Sequence, residues 1–489
     1  MSSKFDLEVC RRVPLADAGL RLLDFAIEES FLDGVFERHR DRSYESVISF
    51  SQFVRILADV LLGHRGSAHQ TFQQAIDDES LEATVQAMYG KLRRIPLTLS
   101  LGLFAEATLR LRTVATPVAA NPLPASLASF WALGFDGKKI KYVAKRLKPL
   151  RGLKGNILGG KLLVVQDMVT QQAVAANAVA DGEAGDNPLV PTVVAQVRSL
   201  YNGRLRLWVG DRSYSDYKLL GQLSEDGDQF LVRYNTSCEF HRDSSIPART
   251  GTDDEGRRFR EEWGCLGKPN HKHRIRVRMI TIIRNSNDPL IFVTSLLDAD
   301  RYPAIDLLTL YRSRWGIEVM FQQAVQTFDL RDLIGSTPQA TVFQAMLCLL
   351  LYNITLIIRD YVAVGAKREP KTVSLKLLFD EVVRDMTGCL EVIGIDATIQ
   401  LMRTTKIHEP ELLKRHLKET LADVWQNRWQ KAPTRKRPPR CPPRAYLCGG
   451  HSSVDKILRG VHKEIPLHAC PKGKAFATKI PAFRAKKDV

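Results

Sequence analysis

Between Phe130 and Tyr234 short strand-like apolar runs alternate with helix-like ones, and this rhythm restricts the fold more than any other feature. Phe130 to Val143 (FWALGFDGKKIKYV) reads as a strand that ends at Asp136-Gly137 and continues into a basic segment. A Gly159-Gly160 turn leads into Lys161 to Met168 (KLLVVQDM), and Gln172 to Ala180 is a third strand. Pro188 to Tyr201 has helical spacing, and Arg204 to Gly210 (RLRLWVG) is a strand ending at Asp211. Tyr217 to Leu223 is helical, and Gln229 to Tyr234 (QFLVRY) is again a strand. The order β-β-β-α-β-α-β predicts a mixed α/β layer fold.

The flanks read differently. Residues 1–120 are helical, most clearly over Ser49 to Gly63, less cleanly over His69 to Gly90 and Leu97 to Val114. Arg38, Arg40, Arg42, Arg55, Arg65, Lys91, Arg93 and Arg94 are interspersed there, which suits a DNA-docking module and equally a packing or dimerisation module. Thr116 to Ser126 (TPVAANPLPAS) marks a boundary. About 235–295 is polar, then alternates as antiparallel strands do, a β-rich insertion. Within it Arg274, Arg276 and Arg278 recur with period two and should line one strand face, a polyanion-binding face or an ordinary solvent face. Tyr311 to Thr327 (YRSRWGIEVMFQQAVQT) predicts an amphipathic helix buried through Ile317, Phe321, Ala324 and Phe328. Phe343 to Tyr361 predicts a buried helix: its most apolar run, Ala345 to Ile358, contains Asn353 and is too short to span a bilayer. Residues 121–365 thus form the central unit, 366–425 a helical region, and 426–489 a basic tail whose Lys431 to Pro443 stretch should be extended or disordered.

The 489 residues suffice for two to four domains, and 44% hydrophobic with 26% charged residues is ordinary for a globular protein. The net charge of +17 is not, and it predicts a polyanionic partner, nucleic acid before anionic membrane. Residues 426–489 hold sixteen Lys/Arg against three Asp/Glu, so thirteen of the seventeen surplus charges lie there. The start, MSSKFDLEVC, has no basic flank before an apolar core, and eight cysteines without paired spacing predict free thiols in a reducing cytoplasm.

The chemistry rests on three acids. Asp136 and Asp211 close separate strands, and Glu318 follows on a helix where Tyr311, Arg314 and Glu318 share one face. Acids that converge in low dielectric cannot all stay ionised without a cation between them. Oxygen-only ligands favour Mg²⁺ or Mn²⁺ over zinc. Two such ions, typically ~3.5–4 Å apart, clamp the attacking and leaving oxygens of an in-line phosphoryl transfer.

With Asp136 in FDGK, Asp211 in GDRSY and Tyr311, Arg314 and Glu318 in YRSRWGIE, the chain resembles DDE transposases of the insertion-sequence-four family, whose signature is Tyr-x2-Arg-x3-Glu-x6-Lys. The resemblance runs from about Ser43 to Tyr361, with motif support from Asp136 onward. It implies an RNase H-like catalytic core with a β-rich insertion before the Glu helix. It implies metal-dependent hydrolysis of transposon-end DNA and attack of the freed 3′-hydroxyl on target DNA, in a paired synaptic complex of a homodimer. The expected setting is the bacterial cytoplasm at the nucleoid, without a membrane. Carried over residue by residue, Asp136, Asp211 and Glu318 are the catalytic acids and ligands of two Mg²⁺ or Mn²⁺ ions, and Tyr311 and Arg314 contact DNA phosphates. One position departs: the signature lysine falls at Val325, with Lys138, Lys139 or Arg331 as substitutes.

Eight basic residues between Lys138 and Lys154 form either a solvated loop or a phosphate-tracking segment. In the tail Cys441, Cys448, His451, His462, His468 and Cys470 invite a zinc reading, but the spacing fits no established ligand pattern. Trp425 and Trp429 suit core packing better than base stacking. Two other function classes compete with the transposase: a domesticated DNA-binding protein that keeps the fold without turnover, and a metallo-hydrolase of small phosphate esters, which the basic excess disfavours.

Overall fold

The computed structural model describes residues 12–45, 47–62, 67–141, 143–145, 147–151, 157–201, 203–253, 256–267, 274–283, 289–327, 335–393, 407–432, 447–448, 452–461 and 468–469. Six helices come first: α1 (Pro14–Ala26), α2 (Glu29–His39), α3 (Phe50–Leu62), α4 (Ala68–Asp77), α5 (Val85–Arg94) and α6 (Leu97–Arg112). The single helical run read over His69 to Gly90 is two helices. The first is started by a Ser67–Gln70 capping box, and the second is started separately by Thr84, whose side chain accepts from the Ala87 N–H.

The α/β region follows as β1 (Trp131–Lys139), β2 (Ile157–Leu158), β3 (Lys161–Asp167), β4 (Ala173–Val179), α7 (Val190–Leu200), β5 (Arg206–Gly210), α8 (Tyr217–Glu225) and β6 (Gln229–Arg233). The polar segment beyond adds β7 (Phe240–Arg242), β8 (Arg249–Thr252), β9 (Arg258–Leu266), β10 (Ile275–Ile282) and β11 (Leu290–Thr294). All of these strands but β2 join one mixed ten-stranded sheet, β4-β3-β1-β5-β6-β11-β10-β9-β7, with β8 on β9. Only β1–β5 and β5–β6 are parallel; the other pairs are antiparallel. Every residue of β3 is buried, which explains why it reads as an unbroken apolar run rather than an alternation.

The helices cover both faces. Val190, Val193, Val194 and Val197 of α7 pack with Leu133 and Phe135 of β1 and Trp208 of β5. On the other face Leu162 and Val164 of β3 meet α10 (Trp315–Thr327) and α11 (Pro338–Gly365), while Leu207 and Val209 of β5 meet α9 (Ala304–Ser313). Helices α1 to α6 share the first of these cores with α10, α11, α12 (Leu375–Ile393) and α13 (Pro410–Thr420). The N-terminal helices are therefore welded to the helices that follow the Glu318 segment.

The 28 residues of α11 exceed the run read from sequence. The helix is long and apolar enough to cross a membrane by length and composition, but its most apolar stretch is wholly buried inside the protein. Asn353 has a defined task on it. Its Oδ1 accepts from Ala173 N–H at 3.0 Å, and its Nδ2 donates to Ala173 O at 2.8 Å and to Thr108 Oγ1 at 3.2 Å. The open edge of β4 is thereby satisfied by a helix rather than by another strand. Trp429 is fully buried in the same core and meets Trp425 edge-on at 6.1 Å, so this pair packs. Trp429 does so from a 3₁₀ turn, Asn427–Trp429.

The arginine periodicity in β10 has a different outcome from the expected uniform face. Arg274 and Arg276 are exposed, but Arg278 is fully buried, donates to Tyr302 O at 2.6 Å and pairs with Glu261 at 3.3 Å. The reason is position: β10 lies between β9 and β11, not at an edge. Past α13 the described chain holds β12 (Leu447–Cys448), β13 (Ser452–Ser453), α14 (Val454–Leu458) and β14 (His468–Ala469).

Candidate active site

Strand β1 brings Asp136 to the site, between the buried Phe135 and Gly137. The parallel register of β1 on β5 runs from Trp131 opposite Arg206 to Gly134 opposite Val209. Two residues further the same register sets Asp136 abreast of Asp211, which directly follows the last residue of β5. Neighbouring strands lie about 4.8 Å apart, and a period of two keeps both carboxylates on one side of the sheet. That side carries Ala132, Leu207 and Val209, the side α9 covers. Asp136 is not at the end of its own strand, because β1 continues against β3 as far as Lys139; it lies two residues beyond the last parallel pair with β5.

Glu318 arrives on α10, which packs against β1. Ile317, Phe321 and Ala324 form its buried stripe as their spacing predicts, each large side chain stabilising by roughly 1.5–3 kcal/mol; Phe328 lies outside the described residues. The single helix read over Tyr311 to Thr327 is two. The ladder tightens at Arg314, whose N–H bonds Tyr311 O and whose carbonyl accepts from Ile317 N–H, both three residues apart. Arg314 keeps right-handed helical angles (φ −54, ψ −29), so Tyr311, Arg314 and Glu318 stay in line across the junction.

The charges are unevenly compensated. Asp211 Oδ1 accepts from Ser213 N–H at 2.7 Å, Asp136 Oδ1 from Gly137 N–H at 2.9 Å, and Glu318 Oε1 from Arg314 Nη2 at 3.1 Å. Burial first, then the Asp211 charge, push the Asp136 carboxyl up to about 6, with Glu318 adding and Arg314 opposing. Arg314 is itself buried, its guanidinium 5.5 Å from the Tyr311 ring and 5.7 Å from the exposed Trp315 ring. Tyr311, Arg312, Arg314 and Trp315 line an open cavity of ≈ 210 Å³ with Arg233 and Arg257. Of the two basic candidates after Asp136, Lys138 stands on its side of β1, with Nζ 5.5 Å from the Phe321 ring, while Lys139 points to the opposite face. Val325 belongs to α10, but its side chain and the whole of Arg331 lie outside the described residues.

Three features escape the sequence. Arg233 and Arg257 join the cavity from β6 and the insertion, more than fifty residues before Tyr311, and no local pattern marks them. Asp186 fills the space where a side chain at position 137 would go, and it pairs with the buried Lys161. Tyr214, in the GDRSY stretch, stacks edge-on against Phe135 at 4.4 Å, and its buried hydroxyl finds no hydrogen-bond partner among the described residues.

The acids fit a divalent cation in chemistry: the donors are oxygens, two stand abreast, and their mutual repulsion raises the proton affinity of Asp136. Among the described residues no three acid, His or Cys groups stand close enough to hold an ion as placed. Glu318 is drawn instead to Arg314. In the tail, backbone pairing sets Cys448 opposite His468, but Cys441, His451, His462 and Cys470 lie outside the described residues. Cys238, Cys265, Cys348 and Cys389 form no disulfide among the described residues.

The family model of the transposase DDE domain matches residues 153–354, so the chain carries a match to that domain over Asp211, Tyr311, Arg314 and Glu318, with Asp136 upstream of it. No curated protein matches the sequence. Among solved structures, a cryo-EM structure of a piggyBac transposase synaptic complex with hairpin DNA is similar at 12% identity and a TM-score of 0.42, covering 84% of this chain and 85% of that chain.

Proposed function

We propose that this chain is a DNA transposase of the DDE type, in the insertion-sequence-four group, that cuts transposon-end DNA and transfers the freed 3′-hydroxyl into target DNA. The observation that carries this reading is the register that sets Asp136 abreast of Asp211 beneath the helix bearing Glu318 and Arg314. The match to the transposase DDE domain supports it. Two Mg²⁺ or Mn²⁺ ions, when bound, lower the pKa of an attacking water or hydroxyl and neutralise charge developing on the phosphate.

Asp136 and Asp211 hold the cations from adjacent strands, and Glu318 is the third ligand. For Glu318 to serve, the Arg314 guanidinium must turn from the carboxylate to a DNA phosphate, whose geometry it also matches bidentately. Tyr311 and Lys138 orient the same backbone, and Arg233, Arg257 and Arg312 line the cavity beside them, Arg257 paired with Asp253. These phosphate contacts carry no sequence information, so they fix position and leave recognition to other residues.

In this reading residues 1–120 are a DNA-binding domain, 121–365 an RNase H-like catalytic domain with its insertion at about 235–295, 366–425 a helical region and 426–489 a basic tail. The protein acts as a homodimer in a synaptic complex, in the bacterial cytoplasm at the nucleoid. A second reading, a DNA-binding protein that has lost turnover, draws on Val325 where the group has lysine. The test is incubation of the purified chain with end-labelled duplex carrying the flanks of its own coding segment, with Mg²⁺, Mn²⁺ or EDTA. Strand cutting with either metal and none in EDTA is expected. Binding without cutting in both metals overturns the enzyme in favour of the second reading. Hydrolysis of a small phosphate ester without affinity for duplex overturns both.

A further inference from the structure

Residues 452–461 belong to the basic tail, yet they fold back onto the loop that follows Asp136. Ser452 and Ser453 pair in parallel with Ile157 and Leu158. Ser453 is fully buried: its Oγ accepts from Gly182 N–H at 3.1 Å, and its own N–H donates to Glu183 Oε1 at 3.2 Å. Val454, also fully buried, closes a small apolar cluster with Leu150 and Ile157, flanked by Val143, Leu147 and Ile457. Lys456 Nζ lies 3.5 Å from Asp181 and also pairs with Glu183. Although burial opposes it, Asp181 is held below the usual carboxylate range by the Glu183 N–H, Ser453 and Lys456. A strand pair, an apolar plug and an ion-pair cluster thus fasten segments some 270 residues apart.

What this docking arranges is charge. The plug residues Val143, Leu147 and Leu150 alternate in sequence with Lys141, Lys145, Lys148 and Arg151, which are all exposed. Seating the apolar residues on Val454 therefore turns the basic ones outward. The docked helix adds Arg459, which reaches Asp455 at 3.1 Å and whose side chain is 70% exposed. The acids of the patch, Asp181, Glu183 and Asp455, are already engaged by Lys456 and Arg459. The loop begins at the end of β1, three residues after Asp136.

We propose that the loop after Asp136 and residues 452–461 form one composite clamp for the DNA phosphate backbone beside the acid cluster, with the C-terminal segment holding the loop's cations in place. The proposal rests on the reading of the chain as a DNA-acting enzyme. It makes the tail a structural part of the catalytic region rather than a tethered polycation.

The full-length chain tests it, with Val454→Asp to unseat the plug, Lys456→Glu to break the acidic contacts at less risk to folding, and Lys141→Glu/Arg459→Glu to alter charge alone. Two readouts are needed: the rate of tryptic cleavage after Lys145 and Arg151, and affinity for a short non-specific duplex across a salt series. Val454→Asp should raise cleavage there by ~10-fold, with Lys456→Glu in the same direction and smaller. Both should weaken duplex binding and flatten its salt dependence. The double charge reversal should leave cleavage unchanged and lower the salt slope by about two, one for each phosphate that is no longer neutralised. Wild-type cleavage in Val454→Asp and Lys456→Glu, or faster cleavage with unchanged affinity and slope, overturns the clamp. A wild-type chain without affinity for duplex overturns the functional reading and the clamp with it, while the cleavage rates still report whether the tail is docked.

Discussion

Two pairs of aspartates stand on the same sheet and are treated in opposite ways. Asp228 and Asp167 are almost fully buried, and each is surrounded by donors. Asp228 accepts from Arg198, from Arg206 Nε at 2.9 Å and from Trp208 Nε1 at 2.8 Å. Asp167 accepts from Arg112 at 3.2 Å, from Trp131 Nε1 at 2.9 Å and from the N–H groups of Val169 and Thr170. Asp136 and Asp211 are only half-buried, and after burial itself the Asp211 charge acts most strongly on Asp136, with Arg314 opposing. Acids matched by built-in cations hold the fold together. Acids matched by other acids leave a charge that only a cation from outside can balance.

The sharpest way to break this contrast is to remove one acid from the compensated pair. Asp228→Ala takes the carboxylate from Arg206 and Trp208 Nε1, leaves Arg198 with Asp226 alone, and should cost about 3–5 kcal/mol, read as a lowered urea midpoint. A stability equal to wild type would erase the distinction between the two pairs. A neutral counterpart comes next: Asn353→Ala leaves the Ala173 N–H and carbonyl unpaired at the buried sheet edge and should cost about 2–3 kcal/mol by the same measurement.

At the site the sign should reverse. Folding holds the Asp136 proton more tightly than the unfolded chain does, at about 6 against an ordinary 3.8. That stabilisation is present at low pH and is lost as the pH rises from about 4 through about 6, an effect on the order of 3 kcal/mol. Without metal, Asp136→Asn should therefore match or exceed the wild-type melting temperature at pH 7.5 and flatten its pH dependence. Mg²⁺ should raise the wild-type melting temperature and leave that of Asp136→Asn nearly unchanged. A mutant less stable than wild type at every pH would place Asp136 with the structural acids.

Much of this arrangement is legible in the sequence because it is local. Strand runs bounded by Gly-Gly and Asp-Gly, and the Ile317–Phe321–Ala324 spacing, are short-range patterns that burial enforces directly. The helix break at Arg314 is invisible there because it tightens two hydrogen bonds and changes no apolar spacing. Arg278 departs from its period-two reading because its neighbours in space, Glu261 and Tyr302, set its burial, and strand order does not follow from period two. Arg233 and Arg257 join the cavity from a distant strand and the insertion, and Asp186 packs at Gly137 from a distant loop. The docking of Val454 depends on alternating Val143, Leu147 and Leu150 in a loop whose basic residues dominate its composition.

The most direct measurement is strand cutting by wild type and Glu318→Gln on the same duplex with Mg²⁺, with binding measured in parallel. Gln keeps the shape and the contact to Arg314 while removing the charge that holds the cation. The account predicts that cutting falls ~10³-fold or more, equivalent to about 4 kcal/mol of transition-state stabilisation, with duplex affinity retained. Cutting by Glu318→Gln at the wild-type rate would contradict it.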